Sequence, residues 1–411
     1  MAILDTVIIG AGQAGLGVSY FLQQKGYRHI LFEKGRVGES WLSQRWDSFQ
    51  LNTPNLFNTL PGLPYDGKEA DGFWRTNDLV DYLQEYVRAF QLPVRTGVTV
   101  LSVDRADGGE GFEIKTRDQD QAEETVRSRT VVVASGIQRV PRFPATHSKL
   151  PAEIFQLHTA EYRNPQGLPP GAVVVVGSGQ SGCQITEDLL SAGRTVYLCT
   201  SKVPRVPRRY RGRDIVAWLV ETGFFNQTVD KLPSPKARFG ANPQATGRDG
   251  GHNLNLHQFV RDGVTLFGHI ADAQDGKVMF KSDLKENLAR SDKAEKDIIA
   301  MIDKYIEANG LNAPQETLPD LQDGYSVEEI IELDLKTANI NTVIWAMGYT
   351  ADYSLVKLPI TDEDGFPITR HGVTQYPGLY FIGINWLSTR KSVTLMGVRE
   401  DVESIIADMT K

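Results

Sequence analysis

VVVVGSGQSG, residues 173–182, runs four valines straight into a glycine-rich turn, and VIIGAGQAG at residues 7–15 does the same. Continuous β-branched residues are the pattern of a strand buried on both faces, as in a parallel sheet. In G-x-G-x-x-G the first glycine makes the tight turn. The second lets backbone N–H groups approach a pyrophosphate, and the third lets the following helix pack close on the strand. Gly10, Gly12 and Gly15 fit this template, and so do Gly177, Gly179 and Gly182. Gly26 and Gly193 stand at the same offset beyond each third glycine, where a helix would stop. A second strand follows each, His29–Phe32 ending at Glu33 and Val196–Cys199 ending at Thr200. The chain therefore carries two βαβ halves of a dinucleotide-binding fold.

The two copies differ where the second strand ends. An acid there accepts hydrogen bonds from a ribose hydroxyl and repels a phosphate. Glu33 therefore suits FAD, whose adenosine ribose has no 2′-phosphate. In the second copy the acid is replaced by Thr200, Ser201 and Lys202, with Arg205, Arg208 and Arg209 close behind. Donors and positive charge there read as a 2′-phosphate pocket, hence NADPH over NADH. The alternative is an ordinary solvated loop whose arginines serve a substrate or the surface.

Composition narrows the class. The 411 residues are enough for two or three domains, and 41% hydrophobic with 23% charged residues is the balance of a soluble globular protein. A net charge of −7 argues against a nucleic-acid partner. No apolar run approaches the roughly 18 residues of a membrane-spanning helix, so no integral membrane segment is expected. MAILDTVIIG enters its strand almost at once, which leaves no room for a signal peptide and implies a cytoplasmic protein. The two cysteines, Cys183 and Cys199, form no C-x-x-C pair, so a redox dithiol is not expected. His252 and His257 lie five apart, which is not metal spacing, and no metal is expected.

The order of elements implies an α/β fold of two nested Rossmann-like domains. Residues 1–165 and 340–411 form the FAD-binding domain in this reading, and residues 166–339 the inserted NADPH-binding domain. A helix from the Asn77 region carries Leu79, Leu83, Tyr86 and Val87 on one face, and strands follow at 98–103 and 111–115. Residues 284–309 read as one long amphipathic helix with Gly310 as its stop, the start of a helical insertion reaching to about 335. Its Ile298, Ile299, Ile302 and Ile306 stripe suits a lid or a partner subunit, and so leaves a homodimer open. VIWAMGY at 343–349 repeats the shape of TVVVASG at 130–136.

Several pieces resemble the flavin-containing monooxygenases, including the bacterial branch labelled as flavoproteins of potassium transport and the plant YUCCA enzymes. They are GAGQAG, the stretch from Glu33 to Trp41, RWDSFQLNTP at 45–54, ASGIQRVPRFP at 134–144, LHTAEY at 157–162, GSGQSG and AMGY at 346–349. In the family's F-x-G-x-x-x-H fingerprint the Phe and Gly are missing here, while His158, Thr159 and Tyr162 match its second half. The resemblance implies FAD reduced by NADPH and oxygen added at the flavin C4a carbon. The resulting C4a-(hydro)peroxyflavin gives one oxygen atom to a small molecule, most readily at nitrogen or sulfur, an EC 1.14.13-type activity. Decarboxylating oxygenation of a 2-oxo acid is the YUCCA-like alternative. A flavin-binding redox regulator associated with transport is the alternative outside enzymes.

The resemblance also distributes roles. Gly38, Ser40 and Trp41 match the flavin-contacting loop, the alternative for Trp41 being a core aromatic beneath that loop. Gly136 closes the ASG turn, and Gly383 of GLYFIGIN stands on the returning strand that contacts FAD. Asn52 occupies the place of an asparagine near the flavin ring, as a first catalytic candidate, and is also an ordinary turn residue before Pro54. His158 resembles the fingerprint histidine, which acts in the family through the hinge between domains, and is the second catalytic candidate, with a plain structural histidine as the alternative. Arg208, Arg209, Arg211 and Arg213 either gate NADPH, attract an anionic substrate or form a solvated face.

Overall fold

The computed structural model describes residues 3–411. In chain order the first sheet uses β1 (Leu4–Ile9), β2 (His29–Glu33), β3 (Val94–Thr96), β4 (Thr99–Arg105), β5 (Phe112–Arg117) and β6 (Glu123–Val133). The chain then crosses to β7 (Phe155–His158), β8 (Ala172–Val176), β9 (Val196–Cys199) and β10 (Thr265–Phe267). A small antiparallel sheet follows, β11 (Ile270–Gln274), β12 (Lys277–Phe280) and β13 (Glu332–Asp334). After β14 (Ile340–Trp345) it returns with β15 (Leu379–Phe381).

The first sheet is ordered β3-β2-β1-β6-β5-β4. Strand β6 is long enough to serve two partners on one side. Its first half pairs antiparallel with β5, and Val131–Val133 pair parallel with the returning β15. The helices in chain order are α1 (Gln13–Gln24), α2 (Glu39–Ser43), α3 (Thr76–Ala89), α4 (Gln180–Ser191), α5 (Ile215–Glu221), α6 (Leu256–Arg261), α7 (Leu284–Ala308) and α8 (Val398–Met409). Helices α1 and α8 pack together over this sheet, and Leu16, Val18, Leu22, Val398, Val402 and Ile405 are buried in one core with β1 and β6. The two ends of the chain thus build one domain.

The second sheet is ordered β10-β9-β8-β14-β7 with every pairing parallel. All five residues of β8 are buried because α4 (Gln180–Ser191) covers one face and the small sheet the other. The edges of this sheet differ from the sequence reading. Phe155–His158 and Ile340–Trp345 both belong to the second domain, so the crossings fall near residues 140–154 and 346–349 rather than at 165 and 340. VIWAMGY closes the second sheet just as VVVASG closes the first. It is GLYFIG that goes back.

Residues Leu284–Ala308 form one helix, α7, followed by Gly310 at φ +58°. Its Ile298, Ile302 and Ile306 are buried against Val206, Tyr210, Ile215, Trp218 and Leu219, the last three on helix α5 (Ile215–Glu221). The stripe that suits a lid or a partner subunit is therefore covered by the same chain at Ile298, Ile302 and Ile306. The other side of this contact is ionic: Arg205 meets Asp292 and Glu295, and Arg211 meets Asp303.

Candidate active site

The two glycine turns answer the same steric test in the same way. A Cβ on Gly15 would lie 2.0 Å from the Gly10 carbonyl oxygen, and one on Gly182 would lie 1.8 Å from that of Gly177. Gly10 and Gly177 have φ of +105° and +108°, with Ala134 and Ala346 carbonyls pressed against them. These four glycines are demanded by the protein itself. Around Gly12 and Gly179 a Cβ would meet nothing within 4 Å. Each stands at the N-cap position of its helix, α1 or α4, with no side chain capping the free N–H groups. An uncapped helix N-terminus beneath open space is a site for a phosphate group.

Glu33 lies beside the first turn. One carboxylate oxygen accepts the Ala11 N–H at 2.9 Å and the other the Gly35 N–H at 2.9 Å, which fixes the group while leaving lone pairs for a ribose. From here a cavity of about 410 Å³ runs past Gly10, Gly12 and Glu33 to Asn52 and Thr53. Gly38, Ser40, Trp41, Gly136 and Gly383 also line it. The residues present fit FAD: an uncapped helix end for the pyrophosphate, an acid for the ribose, and an aromatic and amide-bearing far end.

That far end has a cation the sequence reading passed over. Arg45 lies over the rings of Trp41 at 4.8 Å and Phe49 at 5.4 Å, and donates to Gln138 Oε1 at 2.9 Å and to the Gln44 carbonyl at 3.0 Å. No carboxylate pairs with it among the described residues, and burial lowers its pKa from the ordinary value. The signal was present in RWDSF, where an arginine precedes two aromatic positions. Asn52 is half-buried, and its main-chain carbonyl accepts a hydrogen bond from Arg208 at 2.8 Å. No protein partner of its side-chain amide is found among the described residues.

The other candidates are placed differently. His158 is fully buried and does not line the cavity. Its Nε2–H donates to the Gly348 carbonyl at 3.0 Å and its Nδ1 accepts the Ala160 N–H at 3.2 Å. These bonds hold the neutral tautomer, and burial lowers its pKa. Its place is the crossing between domains, packed on Tyr349, where the sequence reading expects the fingerprint histidine to act. Arg205 is 3% exposed and neutralised by Asp292 and Glu295, so it is not free to hold a phosphate. Arg208, Arg211 and Arg213 likewise pair with Asp214, Asp303 and Glu221. What stays beside the second turn is Ser201, whose N–H donates to Ser178 Oγ at 2.9 Å, and Lys202, 3.2 Å from Glu286 at the surface.

Cys183 and Cys199 are buried, and burial raises both thiols, that of Cys183 to about 12. Neither lines the cavity. Among the described residues no cluster of His, Cys, Asp and Glu is arranged to hold a metal, and no helix is long and apolar enough to cross a membrane.

The profile of the pyridine nucleotide-disulphide oxidoreductase family matches residues 7–220, just over half the chain. An uncharacterized CzcO-like oxidoreductase of Geobacillus kaustophilus is 30% identical over 99% of this chain and 98% of its own. The chain belongs to this oxidoreductase family. An indole-3-pyruvate monooxygenase of rice, YUCCA4, is 30% identical over 55% of this chain and 54% of its own length. The flavin-containing monooxygenase of Stenotrophomonas maltophilia has the same fold, with a TM-score of 0.66 at 19% identity over 100% of this chain and 99% of that one. Flavin-containing monooxygenases use FAD and NADPH, the pair of nucleotides that two glycine turns would accommodate.

Proposed function

We propose that this oxidoreductase is an NADPH-dependent flavin monooxygenase that oxygenates a small molecule at nitrogen or sulfur. One observation supports it above the others. The cavity that begins at the FAD fingerprint ends at Trp41, Arg45 and Asn52, and no cysteine lines it. A disulfide reductase would need a reactive thiol there, and the two thiols of this chain are buried elsewhere as the neutral form.

Reduced flavin, when bound, supplies the activation of dioxygen that closed-shell substrates lack. The chain's part is to bind, orient and shield. The α1 N-terminus and Glu33 hold the nucleotide end, and the turn at Gly136 gives the backbone close approach. Asn52 would present its amide at the reacting end. Arg208 fixes the backbone of that residue from the opposite domain. Leu51, Phe57, Leu395 and Met396 keep the end apolar and exclude water, which favours transfer of oxygen over loss of peroxide. The balance is one oxygen atom to the substrate, the other to water, with two electrons from NADPH and one proton from solvent.

The test is turnover of the FAD-loaded protein with NADPH under ¹⁸O₂ against a panel of amines and sulfides. Label in the product at one atom per NADPH supports the reading. NADPH consumed with equal hydrogen peroxide and no labelled product across the panel overturns it.

Arg45 favours a second reading. A cation with no carboxylate partner in an aromatic wall suits a substrate carboxylate, and the rice relative is named for oxidation of a 2-oxo acid. In that case the acid, dioxygen, NADPH and a proton give the shortened acid, carbon dioxide, water and NADP⁺. Carbon dioxide released from phenylpyruvate in step with NADPH oxidation, and lost in Arg45→Met, would select it.

A further inference from the structure

A second cavity, about 600 Å³, lies against the end of the first. The two share three residues: Phe57, Leu395 and Met396 line both. Phe57 ends a short turn, Asn55–Phe57, five residues beyond Asn52, so one loop supplies both the reacting end and the partition. Leu60, Pro61, Val220 and Phe225 form the apolar wall, and Leu56 and Val220 are exposed at 51% and 36%. The charges at its mouth are compensated. Lys391 meets Glu400 at 2.7 Å and Arg399 faces Glu403 at 3.7 Å.

FAD bound at the α1 N-terminus and Glu33 would take up the first cavity toward Asn52, so a substrate would need room beyond it. We propose that the second cavity holds the apolar tail of the substrate, with Phe57, Leu395 and Met396 as the constriction through which the oxidisable end reaches the flavin. The inference rests on the monooxygenase reading and adds a substrate class: an elongated, uncharged apolar chain carrying nitrogen or sulfur at one end. A wall without an uncompensated charge selects by length and not by ionic head group, because burying a charged tail would leave it unpaired.

The probes are n-alkyl methyl sulfides from methyl to decyl, with the FAD-loaded protein, NADPH and air. Sulfoxide formation per kcat/KM should rise roughly fourfold for each buried methylene until the cavity is full. Val220→Trp fills the cavity from α5, and its series should be flat beyond the shortest members. FAD content and melting temperature report whether the variant folds; if it does not, Leu56→Trp closes the same space from the exposed loop. A flat series in the natural protein, or an unchanged slope in the variants, overturns the proposal. If NADPH reduces the flavin and no sulfide is oxygenated, the heteroatom reading fails, and binding decides the cavity separately. Decyl methyl sulfide displacing Nile red from the natural protein but not from Val220→Trp supports the tail site; equal displacement from both overturns it.

Discussion

The guanidinium of Arg208, carried by the second domain, donates to the main-chain carbonyl of Asn52 in the first at 2.8 Å, while its other nitrogen meets Asp214. Both members of that ion pair are 1% exposed in their side chains, and Arg208 lies over Phe73 at 4.8 Å. The candidate reacting residue is therefore held in place across the domain boundary.

Lysine keeps the charge but loses the planar fork that reaches Asp214 and Asn52 together. Arg208→Lys should retain FAD and lower the fraction of NADPH electrons found in product, on the order of tenfold, because a displacement of about 1 Å at a reacting group costs that much or more. Simultaneous assay of NADPH, hydrogen peroxide and product measures it. Unchanged coupling would show that Asn52 does not depend on Arg208.

Gly12 and Gly15 separate binding from folding. Alanine at Gly12 has room in the apoprotein and an ordinary backbone, φ −83°, so Gly12→Ala should fold and lose FAD affinity. Alanine at Gly15 runs into the Gly10 carbonyl at 2.0 Å, so Gly15→Ala should lose the packing of α1 on β1 and accumulate little soluble protein. Flavin content and circular dichroism of the two variants tell them apart.

Repetition made the fold legible. Gly10, Gly15, Gly177 and Gly182 are dictated by backbone contacts within each turn, so the sequence pattern carries the geometry. The long helix was legible for the same reason, since Ile298, Ile302 and Ile306 keep a helical period. What period cannot tell is which chain covers a stripe. Ile302 reads alike whether Trp218 or a partner subunit lies over it. The pairing of Arg205 is hidden on the same ground, since its partners Asp292 and Glu295 stand about 90 residues away in sequence. The domain edge is not legible locally, because VVVASG and VIWAMGY share one pattern and lie in different sheets.

That arginine yields a stability prediction. Arg205, Asp292 and Glu295 are all nearly buried, and Tyr325 adds a hydrogen bond to Asp292 at 2.6 Å. Asp292 is held down to about 2 against the penalty of its burial by bonds from His257 and Tyr325 and by the Arg205 charge. Arg205→Ala leaves two carboxylates without their cation and should destabilise the protein by about 3–5 kcal/mol. Replacing only the surface cation, Lys202→Ala, should leave stability within about 0.5 kcal/mol and instead reduce the preference for NADPH over NADH. Urea unfolding and paired KM values measure the two effects. An equal KM ratio in Lys202→Ala would remove Lys202 from the 2′-phosphate site.

Asp401 makes stability depend on pH in an unusual direction for a carboxyl group. It is 1% exposed in the first turn of α8, accepts from Ser392 Oγ at 3.2 Å, and its other oxygen has no partner. Burial pushes it up from 3.8 to about 7, with Glu400 adding to the rise and Ser388, Ser392 and Lys391 opposing it. Between those two values the folded chain holds a proton that the unfolded chain has released, so stability falls as pH rises from about 4 to about 7 and levels off above. Asp401→Asn copies the neutral form and removes this slope. The variant should gain on the natural protein as pH rises from about 4 to about 7 and no further above that, by about 4 kcal/mol at most over the whole shift of about three units. Denaturant midpoints at several pH values test this. Parallel curves would mean that Asp401 is ionised in the folded protein throughout that range. Ser392, which donates to Asp401, directly precedes Val393–Met396, four residues that line the first cavity, so the same titration reaches the wall of that cavity.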